Sequence, residues 1–359
     1  MTKAYTVQRW TRRSIVCTAA IAGLQLAMFA GPAVLSANMV DHLTTLFVYV
    51  ILAITWNALA GYGGLVSVGQ QMFFGFGAYA AIRLSNAGLP VYEALALGGG
   101  ASALLALVVS SFMLQLNAGE FAIGMWVLAA LVQLLVSLDP MVQGATGTSL
   151  LALNAFAPAA RRADTYWFGL VMMAGVALVL FLLLRSRLGA AMQAIRDDEG
   201  AALSVGVKVQ HAKRIMFVLA ALGAGMAGSV WLSTSISFQP NTYFGVQWTA
   251  YMIFMTLVGG IGTFEGPILG AVLFFGIETA FGADGVWYLI GVGVVAVLFA
   301  LLLPQGLWGW LEQRYGLRLL PVGYVLKLVG ADGGRQGRGL ARRAAGRAQP
   351  SPMRVSKES

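Results

Sequence analysis

The chain has 359 residues, of which 58% are hydrophobic and 10% charged, with a mean hydropathy of +0.77. Soluble domains average about 45–50% apolar and about 25% charged residues, so this composition excludes an ordinary soluble enzyme and points to an integral membrane protein. One cysteine, Cys17, excludes an internal disulfide framework, and with His42 and His211 as the only histidines a Cys/His zinc cluster is excluded too.

The net charge of +9 is concentrated rather than spread. Residues 15–184 hold eight charged side chains and residues 215–310 hold three. Of the 23 Lys and Arg, 20 lie in residues 1–14, 185–214 and 311–359. By the positive-inside rule these three segments belong on the cytoplasmic side, and the basic tail reads as a topology and anionic-lipid signal, not a nucleic-acid surface.

In chain order, the apolar runs predict spans at 15–35, 43–60, 68–85, 91–115, 120–138, 166–184, 214–236, 248–262, 265–282 and 286–310. The first follows Thr11-Arg12-Arg13-Ser14, and its 21 residues exceed a signal-peptide core, so it is read as a retained helix. Ten spans place both termini and the 185–214 stretch on one side, in agreement with the charge count. The expected class is therefore all-α: a polytopic membrane protein of about ten transmembrane or half-membrane helices. Its divisions are a cytoplasmic N-terminus (1–14), a membrane domain (15–310) and a basic, disordered cytoplasmic tail (311–359). The segment 139–165, with Asp139-Pro140, Gly144, Gly147 and Pro158, reads as an external loop.

Two glycine-rich runs interrupt the apolar pattern. The first, Gly61-Tyr62-Gly63-Gly64 through Ser67, Gln70, Gln71, Gly75, Gly77 and Tyr79, predicts a broken helix. Such breaks are tolerated at membrane depth where protein or a water-filled path covers them. The glycines serve either close helix packing or a pathway. The second, Val258-Gly259-Gly260-Ile261-Gly262-Thr263-Phe264-Glu265-Gly266-Pro267, ends one helix and begins another, with Glu265 read chiefly as a cap. Asn57, Gly64, Ser67, Gln70, Gln133, Thr256, Gly259 and Gly260 are the candidate pathway residues. Between the predicted spans, Ala190–Ile195 and Ala201–Val205 read as two short helices, with Asp197, Asp198 and Glu199 opening the second and Gly206 closing it. As a bare pattern this stretch is equally a partner-docking surface or a simple connection.

The two glycine runs and this stretch, with Pro304-x-Gly306-Leu307, resemble the branched-chain amino-acid permease family of ABC importers, and within it the LivM-type branch. The resemblance spans roughly residues 40–310. It implies a permease subunit of the bacterial inner membrane that pairs with a sister permease. It implies two cytoplasmic ATP-binding subunits and an external substrate-binding protein as further partners. It also assigns Arg196, Asp197, Asp198, Glu199, Ala201, Ala202 and Gly206 to the ATPase-coupling surface. Gly200, between Glu199 and the Ala-Ala pair, loosens the importer motif. Urea and short-amide permeases share the family and stand as the alternative substrate class. No phosphate-binding Gly-x-x-x-x-Gly-Lys-Ser/Thr loop occurs, so no catalytic residue, metal or cofactor is assigned to this chain and ATP hydrolysis is expected on its partners. Glu278 is the sole acid within an apolar run, which disfavours the rival reading of an ion-coupled transporter.

Overall fold

A computed structural model describes residues 5–8, 12–282, 285–303, 305–315, 319–320 and 325–328. Residues 329–359 of the expected tail, Asp284 and Pro304 lie outside the described residues. The chain divides into two units. In the smaller, β1 (Tyr5–Gln8) pairs antiparallel with a late strand, Val325–Leu328, in the register Tyr5↔Leu328 to Gln8↔Val325.

The larger unit, Arg12–Val322, is helical. Its elements begin with α1 (Arg12–Met28), the single turn α2 (Gly31–Val34), α3 (Ala37–Asn57), α4 (Gln71–Asn86), α5 (Val91–Met113) and α6 (Ala118–Ser137). They continue with α7 (Pro158–Leu184), α8 (Arg187–Asp197), α9 (Glu199–Ser204) and α10 (Val209–Ser235). The last are α11 (Pro240–Tyr243), α12 (Gln247–Gly259), α13 (Glu265–Phe281), α14 (Val286–Leu302) and α15 (Gly306–Tyr315). Each of the ten expected spans overlaps a helix, but 15–35 takes in both α1 and α2, and 286–310 takes in α14 and the start of α15. Six stretches among the described residues are long and apolar enough to cross a membrane: 37–62, 91–113, 118–137, 158–184, 209–235 and, taking α14 and α15 together, 287–315. The helices α1, α4, α12 and α13 have 17, 16, 13 and 17 residues. At a rise of about 1.5 Å per residue, α12 covers only about two thirds of a 30 Å hydrocarbon core.

Several helix ends differ from expectation: α1 ends at Met28, α3 begins at Ala37 and α14 ends at Leu302. Pro158 at the first turn starts α7 within the segment read as a loop, so 158–165 is helical, and α10 begins at Val209. A pair of two-residue strands, β2 (Thr148–Ser149) and β3 (Ser237–Phe238), ties the 139–157 connection to the end of α10, which the sequence pattern does not reveal. The strand Val325–Leu328 is β4. The helix over 306–315 and this strand also lie further into the chain than the expected membrane domain's end at 310.

The core is built on α3, whose residues Phe47 to Asn57 are all buried. It packs on α7, α10 and α13. The tightest packing joins α4, α5 and α10, and small residues permit it. A Cβ on Gly77 would lie 2.5 Å from the Gly225 carbonyl oxygen, and one on Gly228 would lie 1.9 Å from that of Phe74. Gly75 likewise faces the Phe244 ring. These glycines serve helix packing. In contrast, α14 keeps Trp287, Leu289, Ile290, Val294, Val297 and Leu301 exposed, as a helix facing lipid or another chain does.

Candidate functional site

The first break begins where α3 widens into a π turn over Ala58–Tyr62. Gly64 then takes φ +68°, a left-handed conformation suited to glycine, and its N–H bonds the Ala60 carbonyl at 3.0 Å. The chain runs irregularly to α4, held by the Trp56 indole N–H donating to the Ser67 carbonyl at 3.0 Å. Helix termination leaves carbonyls at this end without intrahelical donors.

The second break lies between α12 and α13. Gly260 and Gly262 take φ +134° and +76°. The Thr263 hydroxyl donates to the Gly260 carbonyl at 2.7 Å and accepts the Gly266 N–H at 3.1 Å, which turns the chain into α13. Glu265 stands at the start of that helix, and its carboxylate accepts the Leu320 N–H at 2.7 Å. Glu265 is thus the first residue of α13, where an acid suits the helix dipole, and the bond its carboxylate accepts comes from Leu320, not from a helix N–H.

Asn57 fastens one break to the other. Its Oδ1 accepts the Gly262 N–H at 2.8 Å and its Nδ2 donates to the Thr263 carbonyl at 2.7 Å. The fit is close: a Cβ on Gly61 would lie 2.2 Å from Asn57 Oδ1 and 2.6 Å from the Gly262 nitrogen. Two glycine-interrupted segments nearly two hundred residues apart therefore form one joint.

Above this joint lies the 185–206 stretch. Ser186 accepts the Leu188 N–H at 3.1 Å to open α8, and Asp198 accepts the Ala201 N–H at 2.9 Å to open α9. Gly206 ends it with φ +86°. Glu199 forms an ion pair with Lys213 at 2.7 Å, the lysine side chain being 9% exposed. On the outer side of α9, Leu203 is 56% and Val205 77% exposed. On the inner side of α8, Met192 is buried beside Gly63, and Arg196 Nη1 donates to the Gly61 carbonyl at 2.8 Å.

A family model described as "Branched-chain amino acid transport system / permease component" matches residues 38–308, which include both breaks and the α8–α9 stretch. The chain belongs to this family. It is a multi-pass membrane permease component, a transport protein and not an enzyme. Two relatives are named "High-affinity branched-chain amino acid transport system permease protein LivM". That of Salmonella typhimurium is 28% identical over 306 residues, 77% of this chain and 72% of its own. That of Escherichia coli K12 is 28% identical over 315 residues, 80% of this chain and 73% of its own. No solved structure matches.

In this permease the candidate residues fall into separate places. Asn57 forms the joint, bonding Gly262 and Thr263, whereas Gly64 lies against Arg196, Gly259 packs on Gly266 and Gly270, and Gly260 lies beside Gln305 and Trp308. Thr256 is buried against α3, its hydroxyl donating to the Ala53 carbonyl at 3.4 Å. Ser67 and Gln70 lie on the irregular run before α4, and the fully buried Gln70 amide has no hydrogen-bond partner among the described residues. Gln133 stands apart on α6, bonding Asn241 at 2.9 Å. Of the coupling residues, Asp197, Asp198, Glu199, Ala201 and Gly206 are exposed, whereas Ala202 is buried. Sequence reasoning missed the joint itself, Thr263, Lys213 and the inward bond of Arg196. An arginine followed by three acids reads as surface, and no sequence pattern marks a side chain that reaches a backbone carbonyl.

Proposed function

We propose that this permease forms part of the translocation pathway of an ABC importer for branched-chain or related apolar amino acids. The observation that carries the reading is Leu203 on α9 and Val205 just after it, the large apolar side chains left exposed in the 185–214 stretch, where Met192, Ile195 and Val209 are buried. An acid-capped, rigid helix with an apolar outer face is suited to seat on a partner, and in this reading the partners are two ATP-hydrolysing subunits. A sister permease, an external binding protein and an inner-membrane location with cytoplasmic termini complete the proposal. Pairing of β1 with β4 supports placing the two ends on one side, because residues 5–8 and 325–328 share a ladder. The charge distribution supports that side being cytoplasmic.

A zwitterion with an apolar side chain suits a path of apolar walls and few fixed polar groups. The unpartnered Gln70 amide, beside the N-terminal end of α4, is such a group. Alternating access would follow from ATP-driven movement of the α8–α9 stretch, with the pathway opening to one face and then the other. The test is a tagged pull-down from gently solubilised native membranes, read by mass spectrometry. Recovery of a sister permease with phosphate-loop ATPases is expected. Recovery of this chain alone, still competent for uptake without ATP, would overturn the reading.

A further inference from the structure

The α8 helix touches the glycine joint along one face. Met192 and Arg196 are four residues apart, so they project from the same side. A Cβ on Gly63 would lie 2.6 Å from Met192 Cε, and one on Gly64 would lie 3.2–3.4 Å from the Cα, Cβ and Cγ of Arg196. The guanidinium then divides its donors. Nη1 points inward to the Gly61 carbonyl at 2.8 Å, in the last turn of the interrupted helix, where the dipole favours a cation. Nε and Nη2 turn outward to Asp197 Oδ1 at 3.1 and 2.9 Å. The second break is also within reach, since a Cβ on Gly262 would lie 3.3 Å from Arg196 Nη1. The side chain is 38% exposed, so it stands at the boundary between the outer stretch and the joint.

We propose that Arg196 is the positioning residue that transmits movement of α8 and α9 to the joined glycine breaks, rather than a contact made with the partner. The proposal rests on the reading that this stretch docks on ATP-hydrolysing subunits. The planar fork suits the task, because it holds a backbone carbonyl and a carboxylate at once in fixed geometry, which a lysine ammonium on a flexible stem does not. Since Asn57 ties the Gly61 turn to Gly262 and Thr263, a pull on Gly61 reaches both breaks. The orphan carbonyl gives the arginine an acceptor without any further side chain.

The experiment measures amino-acid uptake and ATP hydrolysis in the same proteoliposomes, containing the complete transporter with its binding protein. For R196A, hydrolysis stays within about twofold of wild type while uptake falls about 5–150-fold, the usual range of coupling between sites. R196K restores part of the uptake. M192A, which removes the second contact on the same face, separates uptake from hydrolysis in the same direction and serves if R196A does not assemble. Parallel loss of both activities in R196A and M192A would overturn the proposal, making this face a docking or folding element. Unchanged uptake in both would overturn it as well. If wild-type vesicles show uptake without ATP, the importer reading itself fails, a result distinguishable from any behaviour of the variants.

Discussion

Asn57 spends its whole amide on the opposite break: Oδ1 accepts from the Gly262 N–H and Nδ2 donates to the Thr263 carbonyl, at 2.8 and 2.7 Å. A side chain so committed acts on backbone, and its removal leaves two polar groups of a half-buried turn without partners. A fully buried group left so costs about 1–3 kcal/mol, and a half-buried one less. N57A is therefore expected to lower the midpoint of thermal unfolding in detergent, and N57D to do so as well, because a carboxylate accepts from Gly262 but has no donor for Thr263. A wild-type midpoint in both variants would show that the joint does not depend on this amide.

The Glu199–Lys213 pair joins α9 to the start of α10. Reversing one charge places like charges side by side, so E199K and K213E should each weaken uptake, and the double exchange should recover part of it. The stability involved is modest, on the order of 1 kcal/mol for a pair with one exposed partner. Failure of the double exchange to recover any uptake would show that the individual residues matter beyond their pairing.

Leu203 and Val205 are the exposed apolar side chains of α9 and the turn after it. L203D and V205D leave the fold of the permease intact but remove the surface proposed for the partner. If the two act as binding anchors, each costs at least about 2 kcal/mol, or roughly thirtyfold in affinity. Co-purification of the ATP-hydrolysing subunits with each variant measures this directly, and undiminished recovery would place the docking surface elsewhere.

Asp139, just after α6, is held by three donors: the Tyr79 hydroxyl at 2.5 Å, the Met141 N–H at 3.0 Å and Arg83 at 2.7 Å. These hold its carboxyl below the ordinary carboxylate range, the Tyr79 hydrogen bond contributing most. A carboxyl depressed in the folded state stabilises above its unfolded value, about 3.9, and that contribution is lost as pH falls through the folded value. The unfolding midpoint of wild type should therefore fall in this acid range, and Y79F should show a smaller dependence there. Equal acid dependence in the two proteins would contradict the assignment.

Much of this was legible in the sequence because apolar length and charge placement answer to the bilayer directly. All ten apolar runs fall on helices, and Asp198 with Gly206 marked the two ends of α9 through cap chemistry. The joint was not legible. Asn57 and Gly262 are far apart in the chain, and their bond runs from a side chain to a backbone N–H, which leaves no periodic trace. The same holds for Arg196 and the Gly61 carbonyl. Gly77 shows the limit from the other direction: its run favours packing only slightly over a pathway, and the Gly225 carbonyl opposite it decides for packing.

In the function proposed above, this permease moves a branched-chain amino acid under the power of ATP hydrolysed by other subunits. Uptake of radiolabelled leucine into proteoliposomes tests it most directly, using the purified complex with its binding protein and ATP supplied or withheld on the side of the α8–α9 stretch. Accumulation is expected with ATP and not without it, with competition by isoleucine and valine but not by urea. Accumulation without ATP, or competition by urea in place of the amino acids, would contradict it.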